Sequence, residues 1–78
     1  MASEYTEYKD AAEFWMEQGD EREAIEAARE AVRAAGWDPS PLSLLDLRWL
    51  TDHLPRDPKL VGASFHTDTG KRIPRLAR

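Results

Sequence analysis

Two glycines, Gly19 and Gly36, bracket an alanine-rich run that opens Asp20-Glu21-Arg22-Glu23, and that bracket fixes both ends of one helix. Aspartate before a helix accepts a hydrogen bond from an otherwise unpaired amide of the first turn. Glu23, three residues on, makes an Asp-x-x-Glu pattern close to a capping box. Ala24, Ile25, Ala28, Ala31, Val32 and Ala35 then recur at helical spacing as the inner face. Gly36 suits the left-handed residue that ends a helix, and Trp37 falls where it can cover Val32. The pattern predicts a helix over 20–35. On its outer face Arg22–Glu26, Glu26–Arg29 and Glu30–Arg33 are at pairing distance, each contributing about 0.2–0.5 kcal/mol.

A second helix is expected upstream, over 4–18. Ser3 is its N-cap, and Glu4 and Glu7 sit near the positive end of its dipole. Tyr5, Tyr8, Ala12 and Trp15 share one face, flanked by Phe14 and Met16, and Gly19 ends the run. With only Gly19 and Asp20 between them, the two helices should fold back as an antiparallel pair, brought close by small alanines. Residues 12–39, AEFWMEQGDEREAIEAAREAVRAAGWDP, resemble a single tetratricopeptide-type helical hairpin in the Gly-Asp turn, the Glu-Ala-Ile run and the closing Asp-Pro. The resemblance covers about a third of the chain. It implies one helix pair, since a solenoid stacks about three or more such repeats.

Asp38-Pro39-Ser40-Pro41 leads into a third expected helix over 41–54, with Ser40 as N-cap, Pro41 at its first position and Pro55 beyond its end. At 100° per residue, Leu42, Leu45 and Trp49 fall on one side, and Leu44, Leu47, Leu50 and Leu54 on nearly the other. A surface helix needs one apolar stripe. Two stripes imply a helix sandwiched between the helical pair and something else, and Leu42, Leu45 and Trp49 are the candidate protein interface.

From Lys59 to His66 the residues alternate, and Thr67-Asp68-Thr69-Gly70 reads as a turn with a glycine bulge. This predicts a short C-terminal β-hairpin, about 60–66 and 71–76, with Pro74 confining the second strand to an edge. A lone hairpin is marginal, so Val61 and Phe65 would have to pack on the third helix. The expected fold class is therefore α+β, mostly α, as a single domain over 1–78.

The chain has no cysteine and only two histidines, so neither a disulfide framework nor a structural zinc is expected. No run approaches the ~18 apolar residues of a membrane span, no signal peptide is visible, and a cytoplasmic protein is expected. Net charge is −4 and unevenly spread: residues 1–39 carry eleven acidic and four basic side chains, residues 40–78 four and seven. Lys71, Arg72, Arg75 and Arg78 gather at the end as a candidate contact for an anion or an acidic partner.

Chemistry finds little footing. Neither a phosphate loop, a nucleophile elbow nor His-Glu-x-x-His occurs. Asp68-Thr69-Gly70 matches a fragment of pepsin-like proteases, whose chemistry needs a paired second aspartate, and the turn accounts for these residues without it. His53 and Asp57 are separated by Pro55, which prevents them sharing a helix face as ligands. No catalytic group, cofactor or small-molecule substrate is expected.

The order of three helices and a hairpin resembles a winged-helix module. That resemblance implies the third helix in a DNA groove and the basic hairpin on the backbone. Its third helix offers Arg48 against Asp46 and Asp52, a poor match to phosphate. Leu44-x-x-Leu47-Arg48-Trp49-Leu50-x-x-His53-Leu54-Pro55-x-Asp57 also resembles small uncharacterised proteins of actinobacteria and their phages, and implies no activity. The residues together point to a non-enzymatic protein-interaction module, an adaptor, small inhibitor or phage-type accessory protein. Its partner would be another protein or a second copy, and its acidic face could imitate nucleic-acid phosphates.

Overall fold

The computed structural model describes residues 3–60 and 66–74, which form three helices and one short 3₁₀ turn. Helix α1 spans Glu4–Glu17, α2 Glu21–Ala34 and α3 Leu44–His53. The 3₁₀ turn covers Pro58–Leu60. No helix of the described residues is long and apolar enough to cross a membrane.

The α1–α2 pair forms as the glycines require. Ser3 Oγ accepts from the Thr6 amide at 3.2 Å and caps α1. At the far end Gly19 takes φ +79°, and its amide donates to the Met16 carbonyl at 3.1 Å while the Asp20 amide donates to Trp15 at 2.9 Å. Asp20 then turns its carboxylate to the Glu23 amide at 3.2 Å, so one residue closes α1 and opens α2. Its own amide is already committed to Trp15, which explains why the reciprocal half of the expected capping box is missing. Helix α2 ends in the same way, with Gly36 at φ +87°, its amide on Arg33 at 3.0 Å and the Trp37 amide on Val32 at 3.1 Å.

Small side chains hold the pair together. Ala12, Ala24, Ala28 and Ala31 are fully buried and Ala27 nearly so, which lets the helices approach closely. Tyr5 is buried near the start of α1, and its hydroxyl donates to the Pro55 carbonyl just beyond α3. Tyr8, on the same expected stripe, lies at the rim and is exposed. Outside, Arg29–Glu26 and Arg33–Glu30 pair as expected, at 3.3 and 2.7 Å.

Helix α3 starts three residues later than the Ser40-Pro41 reading places it. Ser40 is drawn backwards, its amide donating to Asp38 Oδ1 at 3.0 Å, and its hydroxyl bonds the same oxygen. These side-chain and backbone bonds from Ser40 hold the Asp38 carboxyl below the usual carboxylate range. The Leu42 amide closes a turn on Pro39 at 3.0 Å. The cap is Ser43, in a complete capping box: the Asp46 amide donates to Ser43 Oγ at 3.2 Å and the Ser43 amide to Asp46 Oδ2 at 3.1 Å. A two-sided box outcompetes the one-sided Ser40 cap, and the later start leaves Leu42 free to turn into the core. At the other end, Leu54 leaves helical geometry at ψ 127° ahead of Pro55.

Among the described residues the expected C-terminal β-hairpin does not appear. The described residues contain no strand; they hold isolated bridge residues, among them the antiparallel pair His66 and Arg72, and Trp37 in the α2–α3 connection. Residues 61–65 and 75–76 of the two expected strands lie outside the described residues. Leu60, the expected first strand residue, belongs instead to the 3₁₀ turn, which Asp57 caps by accepting from the Lys59 amide at 2.9 Å. The turn over 67–70 does form, with the Gly70 amide on Thr67 at 2.9 Å and the Thr67 amide on Lys71 at 3.0 Å. Beyond it the chain leaves the ladder. Pro74 has no amide to give, and its carbonyl accepts from Asp38 in the α2–α3 connection at 2.7 Å. Ile73 is thereby swung into the core, 1% exposed. The described residues thus form three helices with a C-terminal strap, residues 66–74, and not the expected α+β arrangement.

Two buried clusters result. The larger joins Tyr5, Ala31, Val32, Leu42, Leu47, Leu50 and Ile73. The smaller, Ala12, Ala27 and Ala28 with Trp15 against it, lies between α1 and α2, and Leu54 touches both.

Candidate protein-interaction surface

The capping box determines which side of α3 is left outside. Leu47 and Leu50 face the main cluster at 1% and 0% exposure, and Thr51 beside them bonds the Leu47 carbonyl at 2.9 Å. Leu44 and Leu45, the two residues enclosed by Ser43 and Asp46, point outward at 68% and 61%. The three candidate interface residues are therefore separated: Leu42 is in the core, Leu45 is exposed, and Trp49 is half-buried against the main cluster. The Trp49 ring stacks on His53 at 4.1 Å and 10°, and His53 Nδ1 lies 2.8 Å from the Trp49 carbonyl. Leu44, which the helical wheel assigns to the opposite side, joins the exposed set instead. A start displaced by three residues takes Leu42 out of the helix, and with it the stripe it was meant to begin.

Beside the leucine pair, Glu21, Arg22, Ile25, Glu26 and Leu44 line an open hollow of about 420 Å³ between α2 and α3. Its edge is pinned by Arg48, which reaches Glu21 of α2 at 3.2 Å and Asp52 of its own helix at 2.6 Å. Hydrogen bonding and charge from Asp52, then Glu21, raise the Arg48 pKa. A second hollow of about 400 Å³ is lined by Ala34, Ala35, Trp37, Pro58 and Lys59. Elsewhere Phe14 is half exposed on α1, edge-on to Trp15 at 5.1 Å.

Among the candidate cationic residues, Lys71 and Arg72 are exposed, Arg72 forming the bridge to His66 and Lys71 beside it, while Arg75 and Arg78 lie outside the described residues. Among the described residues, no group of three or more histidine, aspartate or glutamate side chains is placed to hold a metal ion.

Sequence reasoning assigned Asp46 no structural role beyond setting its charge against Arg48. It is fully buried. Its Oδ2 accepts from the Ser43 amide and from Ser43 Oγ at 2.9 Å, and its Oδ1 from the Thr69 amide at 3.3 Å and from the Thr69 hydroxyl. Burial by itself pushes the carboxyl up, but the hydrogen bonds from Thr69, Thr67 and Ser43 outweigh it and hold Asp46 well below the usual carboxylate range. Half of this arrangement was legible as Ser43-x-x-Asp46. The other half depends on a residue 23 positions away. With every carboxylate oxygen engaged inside the protein, Asp46 is a clamp rather than a ligand site.

No family model, curated protein or solved structure matches the chain.

Proposed function

We propose that the protein is a non-catalytic interaction module, an adaptor or small inhibitor, that docks on another protein through the outer side of the first turn of α3. The observation that carries this reading is the exposure of the adjacent Leu44 and Leu45 on a helix start held rigid by its capping box. Covering a leucine side chain is worth about 1.5–3 kcal/mol, so the pair supplies a useful anchor once a partner removes it from water. On the Leu44 side, Glu21, Arg22 and Glu26 line the adjoining hollow, and Arg48 ties Glu21 to Asp52, so charges of both signs supply part of the polar rim that such an anchor requires. Nucleic-acid binding, the alternative, finds no β-hairpin wing among the described residues. It would also have to use an Arg48 already engaged by two carboxylates.

A photoreactive residue at Leu45, compared with one at the exposed Glu7, tests the proposal in cells of the native host. The expected result is a discrete crosslinked protein from position 45 that is lost when Leu44 is changed to Glu, while the purified variant keeps its fold. Equal crosslinking from both positions, or none from 45, rules the surface out.

A further inference from the structure

The exposed leucines and the C-terminal strap share one carboxylate. Leu44 and Leu45 are the two residues inside the Ser43–Asp46 capping box, so their conformation depends on that box staying closed. Asp46 closes the box with Oδ2, and with Oδ1 it receives the amide and hydroxyl of Thr69. Residues 66–74 are also attached through Ile73 in the main cluster and through the Pro74 carbonyl on the Asp38 amide. A fully buried carboxylate keeps its charge only while donors surround it. Lifting the strap removes the Thr69 donors and admits water, which competes with Ser43 for the same group. Helix α3, at ten residues, is too short to hold its first turn without tertiary support.

We propose that residues 66–74 act as a strap that controls the Leu44–Leu45 surface. Seated on Asp46, the strap keeps the turn closed and the leucines presented; lifted, it lets the turn open and the surface is withdrawn. The proposal rests on the reading of this pair as the docking surface and supplies its regulation. Because coupling between two sites is reciprocal, a protein seated on the leucines tightens the strap, and one that draws off the strap weakens docking.

Amide exchange on the full chain tests the coupling without any partner. In Thr69→Ala the amides of Asp46 and Leu47, which report the cap, should exchange about fivefold faster, while the amide of Ala28 in α2 changes less than about twofold. Ser43→Ala should in turn accelerate the Thr67 and Gly70 amides of the strap, and Thr69→Ser, which keeps the hydroxyl, should restore wild-type rates. Acceleration confined to the strap, or spread evenly over the whole chain, overturns the proposal. Crosslinking from Leu45 separates the two readings. Coupled exchange without a crosslink removes the docking surface, whereas a crosslink without coupled exchange removes only the strap's control.

Discussion

Asp46 and Tyr5 are buried side chains whose polar atoms tie distant parts of the chain together, and each makes stability depend on pH in its own direction. Asp46 is ionised in the fold because its hydrogen bonds outweigh the cost of burial. Its stabilisation is complete above the unfolded carboxyl pKa, about 3.9, and is lost as pH falls through and below that value. Asp46→Asn turns an NH₂ group toward donors that need an acceptor. It should cost about 2–3 kcal/mol at pH 7 and flatten the acid limb of the stability curve, as measured by urea unfolding between pH 7 and pH 3. Tyr5 is pushed up by burial first, then by the negative charges of Asp57 and Glu13. The buried hydroxyl therefore resists ionisation, and its stabilisation is present below the unfolded tyrosine pKa, about 10, and lost as pH rises beyond it. Tyr5→Phe keeps the ring but leaves the Pro55 carbonyl without its donor. The expected loss is about 1–2 kcal/mol at pH 7, with a shallower alkaline decline.

At the level of elements, the helix ends that were read correctly are those where a single residue type carries the geometry. Gly36 is at φ +87°, and a Cβ built there meets nothing within 4 Å, so only the backbone opposes a larger residue. Gly36→Ala should accordingly destabilise by about 1–2 kcal/mol with no loss of packing, measurable as a lower urea midpoint at unchanged slope. The same logic made Gly19 and Asp20 legible. The start of α3 was not, because Ser40-Pro41 and Ser43-x-x-Asp46 are both sound N-terminal signals three residues apart. The choice between them was made by Thr69 and by the burial of Leu42, which no local window contains. The candidate interface inherited that error, keeping Leu45, losing Leu42 to the core and overlooking Leu44. The expected β-hairpin failed for a related reason. Its turn chemistry at Thr67–Gly70 was real, but alternation along Lys59–His66 says nothing about Pro74 and Ile73 having better partners in the α2–α3 connection and the core.

For the whole molecule, the distribution of large side chains shows which parts depend on which. Between α1 and α2 the contact is mostly alanine, and the bulkiest fully buried groups are Tyr5, Leu47, Leu50, Ile73, Val32 and Asp46, drawn from all three helices and the strap. A 78-residue chain without cysteine has little reserve beyond this core, so the α1–α2 pair is a scaffold completed by α3 and the strap rather than an independent unit. Ile73 is the strap's only residue in the main cluster. Ile73→Ala should remove about 2–4 kcal/mol through lost burial and the cavity left behind. If the four elements form one cooperative body, that loss should appear as a single shifted transition, with far-ultraviolet circular dichroism and tryptophan fluorescence coinciding. If the strap is only an appendage, the variant should instead release it early, visible as fast exchange at the Thr67 and Gly70 amides while the helical transition stays at its wild-type midpoint. The burial of Ile73 in the cluster that holds Val32, Leu42 and Leu47 argues for the first outcome: Ile73 stays seated as the strap's anchor, and it is the Thr69 end that lifts from Asp46.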